Sequence, residues 1–297
     1  MKFNKSKILI LGANGLFGNT IFRYLKSKNF NVWGGISSKK DIKYFNKKKL
    51  LFFKKIKTME SLKNFGNSLE GFLMKNNINY IINCIGFTTH QKNINYENKK
   101  IINSKFPRLI SKISQQYDFK FIHVSTDCVF NGNKGNYVET DKPNDFSEYS
   151  LTKRNGEIKD NINTITLRTS GIGHELYKKN NLLEWFLAQK NRSIDGYKNN
   201  FFSGPTTLEI GKIIEKIIKS KIFKYGLFHI SGKKISKLNL LIKINNVYRN
   251  NTKIIPKKTR RLDRSLNSSK FRKMYNYKLK NWNILLKELK RFNEKFL

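Results

Sequence analysis

The sequence predicts an α/β chain with a parallel sheet covered by helices on both faces. Three observations lead there. Short apolar runs, rich in β-branched and aromatic residues, recur through the first 165 residues; helical patterns alternate with them; and a glycine-rich turn directly follows the first run. Strands that are apolar at nearly every position need cover on both faces, which parallel sheets receive from crossover helices.

In chain order, "KILIL" (7–11) reads as the first strand, and a helical pattern over 16–28 follows it. "NVWGG" (31–35) is the second strand. A helix-like segment near 60–76 leads to "YIINCIG" (80–86), one near 97–117 leads to "FKFIHVS" (119–125), and one over 149–159 leads to "NTITLRTS" (163–170). Beyond residue 170 the alternation loosens. "TTLEIGKIIEKIIKS" (206–220) has helical period, "GLFHISG" (226–232) is strand-like, and "SKLNLLIKINNVY" (236–248) is helical, with Ser236 placed to cap it. "NILLKELKRF" (283–292) is a basic amphipathic helix. No repeat or low-complexity linker intervenes. A nucleotide-binding part over 1–165 and a smaller substrate-binding part over 166–297 are therefore expected to interleave in one unit.

The 297 residues carry 60 Lys+Arg against 20 Asp+Glu, a formal net charge of +40. Such an excess points first to nucleic acid or an anionic membrane. Here the lysines are spread along the whole chain, with no dominant basic block and no basic stripe interleaved with aromatics, so a nucleic-acid partner is not expected. The charge would still draw anionic substrates such as nucleotides. Cys84 and Cys128 form no CxxC pair and suggest no disulfide framework. The first apolar run is too short for a signal peptide, and no stretch nears the roughly 20 apolar residues of a membrane span. A cytoplasmic protein is the expectation.

"LILGANGLFG" places Gly12, Gly15 and Gly18 after the first strand, at the opening of a helix. Glycines there allow a tight turn and let a pyrophosphate approach backbone N–H groups at the helix N-terminus. Together with the strand pattern they specify a doubly wound, Rossmann-type sheet. The end of the second strand reads the adenosine ribose, and a carboxylate there favours NAD. This chain instead offers Ser37, Ser38, Lys39 and Lys40 before Asp41. Hydroxyls and ammonium groups suit a 2′-phosphate, so NADPH is expected ahead of NADH.

In such sheets the ligand crevice lies beyond the carboxyl ends of the strands. "HVSTDCVFNG" puts Ser125, Thr126 and Asp127 there, and "SEYSLTKRNGE" puts Tyr149 and Lys153 one helical turn apart. A tyrosine of unperturbed pKa about 10 needs help to exchange protons near neutrality, and a lysine one turn away would lower that value. A hydroxyl from Thr126 or Ser125 would hydrogen-bond a substrate oxygen as charge develops on it. The combination fits acid–base chemistry on a carbonyl or alcohol beside a nicotinamide.

"GANGLFG", "STDCVFNG", "YVETD", "YSLTK" and "NGE", in that order, resemble the extended short-chain dehydrogenase/reductases of the dTDP-4-dehydrorhamnose reductase (RmlD-like) family. "LRTSGIGHE", "FFSGPTT" and "GLFHISG" extend the resemblance over most of the chain. It implies Thr126, Tyr149 and Lys153 as the catalytic set, with hydride from NADPH reducing a 4-keto sugar and the tyrosine protonating the oxygen. The cofactor contacts expected are Gly12, Asn14, Gly15, Leu16, Phe17, Gly18, Ser37, Ser38, Lys39, Cys84, Ile85, Gly86 and Ser125, with Tyr149 and Lys153. Those expected for the nucleotide-sugar substrate are Thr126, Asp127, Cys128, Phe130 and Arg168, although Arg168 could equally pair structurally. A 4-epimerase and a catalytically silent nucleotide-binding subunit are the alternatives.

Two departures stand out. The related sugar 4,6-dehydratases place Glu where Cys128 stands, which argues against dehydration, and Ser150 replaces the glycine usual after the tyrosine. "NCIGFTTHQ" also differs from the alanine-rich segment of the family, which leaves the sugar open. His90 reads as a solvated loop residue, His123 as a strand residue, and His174 and His229 show no metal-ligand spacing, so no metal is expected. Cys128 reads as a passive pocket residue and Trp185 as packing. The oligomeric state stays open, a homodimer included.

Overall fold

The computed structural model describes residues 6–88, 94–177 and 181–295. Its centre is a seven-stranded sheet, all parallel: β1 (Lys7–Leu11), β2 (Asn31–Ile36), β3 (Leu50–Phe52), β4 (Tyr80–Asn83), β5 (Lys120–Val124), β6 (Thr164–Arg168) and, returning from the C-terminal part, β9 (Gly226–His229). The strand order is β3-β2-β1-β4-β5-β6-β9, so the winding reverses between β1 and β4. That reversal opens a crevice at the strands' carboxyl ends.

The apolar runs are continuous because each strand feeds two cores. Ile8 and Ile10 of β1 face one hydrophobic cluster while Leu9 and Leu11 face the other; Ile82 and Ile81, then Ile122 and Phe121, divide the same way. Each such fully buried side chain contributes on the order of 1.5–3 kcal/mol. One core is closed by α2 (Met59–Asn76) and α4 (Phe106–Gln116). The other is closed by α1 (Leu16–Ser27), α7 (Thr207–Lys219), α8 (Lys237–Tyr248) and α10 (Trp282–Glu294). α7 lies against α1, where the Thr207 hydroxyl donates to that of Thr20 at 3.0 Å. Ser236 caps α8 by accepting from the Asn239 amide, as expected.

Several expected boundaries shift. The strand expected over 80–86 ends at Asn83, whose side-chain carbonyl accepts from the Ile85 amide and turns the chain out of the sheet. The helix expected over 149–159 is α5 (Glu148–Asn155); it stops at Gly156, where a Cβ would lie 1.9 Å from the Asn103 carbonyl oxygen. The segment near 97–117 is α3 (Tyr96–Lys100) and α4 joined by a π turn, Ile101–Lys105.

The C-terminal part adds elements with no strong sequence signature. β7 (Ser193–Tyr197) pairs with β11 (Lys253–Lys257), and β8 (Asn200–Phe202) lies between β10 (Ile235–Ser236) and β12 (Leu262–Asp263). α6 (Leu182–Leu187) and α9 (Ser269–Tyr275) complete the set. His174 ties this part together, bonding Glu184 of α6 at 2.7 Å and the Tyr248 hydroxyl of α8 at 2.9 Å. Trp185, expected to pack, is 40% exposed on α6. His90 lies outside the described residues.

Candidate active site

The glycine loop runs from the end of β1 into α1. Gly12 has φ +77°, a left-handed conformation that glycine adopts without strain. A Cβ on Gly18 would stand 2.1 Å from the Gly12 carbonyl oxygen, so the helix can approach the turn this closely only with glycine there. The resulting turn exposes backbone at the helix N-terminus, a cradle suited to the pyrophosphate of a dinucleotide. Asn14, Gly15, Leu16 and Phe17 are half-buried around it. Across the switch point, a Cβ on Gly12 would meet Ile85 at 2.9 Å, which places the Cys84–Ile85–Gly86 turn along the same crevice.

The end of β2 is more structured than its sequence suggests. Ser37 and Ser38 are half-buried, and Lys39 and Lys40 are exposed. Asp41 turns inward, buried, and its Oδ2 accepts from the Asn14 amide at 2.6 Å and the Tyr177 hydroxyl at 3.2 Å. This acid, which follows the two serines and two lysines in sequence, is thus linked to the glycine loop.

On the far side of the crevice, β5 runs out into Ser125 and Thr126. Thr126 accepts from the Cys128 amide at 3.1 Å and so caps the short turn Asp127–Val129. Asp127 accepts from the Ser170 hydroxyl at 2.7 Å. Tyr149 projects from the first turn of α5, whose N-cap is Ser147. Burial, Cys128 and Asp127 push the Tyr149 pKa up, while Thr126 and Arg264 pull it the other way. The phenol therefore holds its proton across the neutral range.

Lys153 reaches from α5 to the end of β5. Its ammonium is buried and donates to the Val124 carbonyl at 3.0 Å. Burial lowers its pKa to about 8, against Glu157 and Cys84, which raise it. The group lies beside Gly86, whose built Cβ would be 3.5 Å away. The expected acidification of the tyrosine is corrected on this point: the lysine is anchored to the end of β5, and Arg264 is the cation that lowers the Tyr149 value.

Two expected substrate contacts are enclosed in the protein. Arg168 is fully buried and bonds Glu157 through Nε and Nη2, both at 2.7 Å, so it pairs structurally and does not line the crevice. Phe130 is also fully buried, stacked on Tyr137 with ring centroids 4.0 Å apart. Ser125 is buried and donates to Glu157 at 2.8 Å, supporting the crevice floor. Cys128 is half-buried, and its thiol, pushed up to about 12 chiefly by burial and then by Asp127, stays protonated.

Comparison with known proteins fits this architecture. The family model of the RmlD substrate binding domain matches residues 6–294. The chain belongs to this family. A dTDP-4-dehydrorhamnose reductase from Aggregatibacter actinomycetemcomitans is 31% identical to this RmlD-family chain over 164 residues, 52% of the chain and 55% of that protein. A probable low-salt glycan biosynthesis reductase, Agl14, from Haloferax volcanii is 27% identical, over 55% of the chain and 52% of that protein. The chain thus spans about half the length of the curated relatives it matches. Among solved structures, a hypothetical dTDP-4-dehydrorhamnose reductase from Sulfolobus tokodaii superposes with TM-score 0.71 at 27% identity, covering 90% of this chain and 94% of that one. The dTDP-4-dehydrorhamnose reductase of Bacillus anthracis, solved with NADP, shares the RmlD fold at TM-score 0.75 and 20% identity, covering 97% and 99%.

Within the RmlD frame, three further residues emerge at the site. Asn103, in the π turn, accepts from the Phe87 amide at 2.9 Å and donates to the Thr152 hydroxyl at 3.1 Å, joining the turn after β4 to the helix that carries Tyr149. Arg264 donates to the Phe130 carbonyl at 2.8 Å, to Asp145 at 3.0 Å and to the Cys128 sulfur at 3.7 Å. Lys237 opens α8, its ammonium 4.9 Å over the Phe202 ring. A departure from the helical hydrogen-bond pattern within 97–117 is the one signal that could have marked Asn103, and the sequence does not display it. Among the described residues no helix is long and apolar enough to cross a membrane.

Proposed function

We propose that the chain is an NADPH-dependent reductase of nucleotide-linked 4-keto-6-deoxy sugars, of the kind that supplies precursors for surface polysaccharide. One observation carries the reading: the sheet reversal brings the glycine cradle, the Cys84–Gly86 turn, Lys153, Thr126 and Tyr149 to a single crevice. The names of the relatives support the same chemistry.

When bound, NADPH would supply the hydride that reduces the carbonyl carbon. Gly12, Gly15 and Gly18 would receive its pyrophosphate, and Ser37, Ser38 and Lys39 its 2′-phosphate. Tyr149, protonated at neutral pH, would give its proton to the forming alkoxide, and the Thr126 hydroxyl would hydrogen-bond the same oxygen. Lys153, fixed on Val124, holds a positive charge beside the Gly86 turn below about pH 8. Cys128, its thiol kept protonated chiefly by burial, offers no carboxylate for the base role of a dehydratase. A nucleotide-sugar substrate in a cytoplasmic enzyme follows from this reading, and a homodimer is compatible with it.

The test is a panel of nucleotide-linked 4-keto-6-deoxy sugars, with the fall in NADPH absorbance as readout. Turnover of one member supports the reading. Tightly retained NAD after purification, with interconversion of 4-epimers, would replace it with an epimerase. No turnover on any member would leave a silent nucleotide-binding subunit.

A further inference from the structure

Asp41 is a buried carboxylate without a cation. It is 1% exposed, and among the described residues it forms no ion pair, although Lys39 and Lys40 precede it on the same turn, Lys39–Tyr44. Its Oδ2 instead takes two neutral donors, the Asn14 amide at 2.6 Å and the Tyr177 hydroxyl at 3.2 Å. Asn14 belongs to the glycine loop, so Oδ2 is the oxygen turned toward the adenosine end of the crevice. A carboxylate left free at that end accepts from a ribose 2′-hydroxyl and repels a 2′-phosphate.

Tyr177 comes from far along the chain. The segment leaving β6 first meets the opening of α1, where a Cβ on Gly171 would lie 2.8 Å from the Phe17 ring. His174 then anchors it to Glu184 and Tyr248, and Tyr177 reaches Asp41. The ring is held as well as the hydroxyl. It stacks along Tyr44, the last residue of the turn that carries Asp41, with an interplanar angle of 15° and centroids 6.4 Å apart. Tyr177 is still 50% exposed, so the contact buries little of it. Burial first and then Asp41 raise its pKa, and the hydroxyl keeps the proton it donates.

We propose that Tyr177 is a cofactor-selectivity residue: by capping Asp41 it withholds the carboxylate from a ribose 2′-hydroxyl and lets the adenosine end accept a 2′-phosphate. The proposal rests on the NADPH reading of the crevice and deepens it. Ser37, Ser38 and Lys39 attract the phosphate, while the tyrosine removes the acceptor that would favour NADH. Selectivity then depends on a side chain of the C-terminal part, acting through Asp41 and not by touching the cofactor.

The experiment titrates NADPH and NADH, followed by the fluorescence of the reduced nicotinamide, into wild type, Tyr177→Phe, Asp41→Asn and the double variant. Melting temperature is measured alongside. Tyr177→Phe keeps the ring on Tyr44 and deletes one hydrogen bond to a charged group, so the ratio of NADPH to NADH affinity should fall about 10-fold. NADH should bind more tightly than to wild type, a gain that damage to the fold would not give. In the Asp41→Asn background the same tyrosine change should leave the ratio where it was. An unchanged ratio in Tyr177→Phe overturns the proposal and leaves the NADPH reading standing. An equal fall in the Asp41→Asn background would mean that Tyr177 meets the cofactor itself, and also overturns it. If Asp41→Asn fails to fold, the direction of the NADH change in Tyr177→Phe decides alone. Wild type that binds neither dinucleotide would remove the cofactor reading and the proposal together.

Discussion

Arg168 and Glu157 face each other as a two-pronged ion pair, Nε to Oε1 and Nη2 to Oε2 both at 2.7 Å, and neither side chain meets solvent. Glu157 also accepts from Ser125, and Arg168 also reaches His229 at 3.3 Å. This buried column supports the end of β5, from which Thr126 enters the crevice. A pair so placed serves the geometry of the site more than net stability, since desolvation offsets most of its attraction.

Breaking it from one side is costly. Arg168→Met leaves Glu157 buried without its two-pronged partner and should destabilise the fold by about 3–5 kcal/mol. Denaturant unfolding gives the value. A double variant, Arg168→Met with Glu157→Gln, should recover much of the loss. A single variant as stable as wild type would show that the column contributes nothing.

His229 should make the fold acid-sensitive. Its Nδ1 donates to the Tyr137 carbonyl at 2.9 Å, which leaves Nε2 to accept from Arg168, so the ring is held neutral. Burial first, then Arg168, lowers its pKa to about 3. The folded value is below the unfolded one of about 6.5, so the unfolded chain takes up the proton first and stability is lost as pH falls from 6.5 toward 3. Buried His123 acts in the same direction. Melting temperature measured from pH 7 down to pH 5 should fall, and less steeply in His229→Gln; identical slopes would contradict the assignment.

Much of this architecture was legible before any coordinates. β1, β4 and β5 announce themselves because a strand buried on both faces has no polar phase. The Tyr149–Lys153 spacing and the glycine turn are local, and local chemistry reads well. The short strands do not. β10 and β12 hold two residues each, and β11, "KIIPK", is mostly exposed and contains Pro256, so none shows an alternating pattern. The direction of the Lys153 ammonium depends on where the Val124 carbonyl lies, 29 residues away in sequence. Arg264 meets Asp145 and Cys128 across 119 and 136 residues, a relationship one sequence does not contain.

Cofactor preference should be modest and salt-sensitive. Lys39 and Lys40 are exposed, so each adds only about 0.2–1 kcal/mol toward a 2′-phosphate. NADPH should bind more tightly than NADH at low ionic strength, with the gap closing as salt is added. Lys39→Ala with Lys40→Ala should narrow it further. NADH binding as tight as NADPH at low salt would show that Asp41, and not the lysines, governs the adenosine end.

The rate of reduction should fall as pH rises through about 8. That is where Lys153 loses its proton, burial having lowered its pKa, while Tyr149 stays protonated. The active form is the charged lysine below that value. Lys153→Met should lower turnover and abolish this limb of the pH–rate profile. A limb that persists in the variant would belong to another group.

The most direct measurement is single-turnover reduction of a confirmed nucleotide keto sugar by Tyr149→Phe. The substitution keeps the ring and removes the acid. The rate should drop by about 10²–10⁴ while NADPH affinity is retained, because the glycine cradle is untouched. A Tyr149→Phe variant that reduces the substrate at near wild-type rate would contradict the account, leaving Tyr149 and Lys153 as neighbours on a helix without a catalytic role.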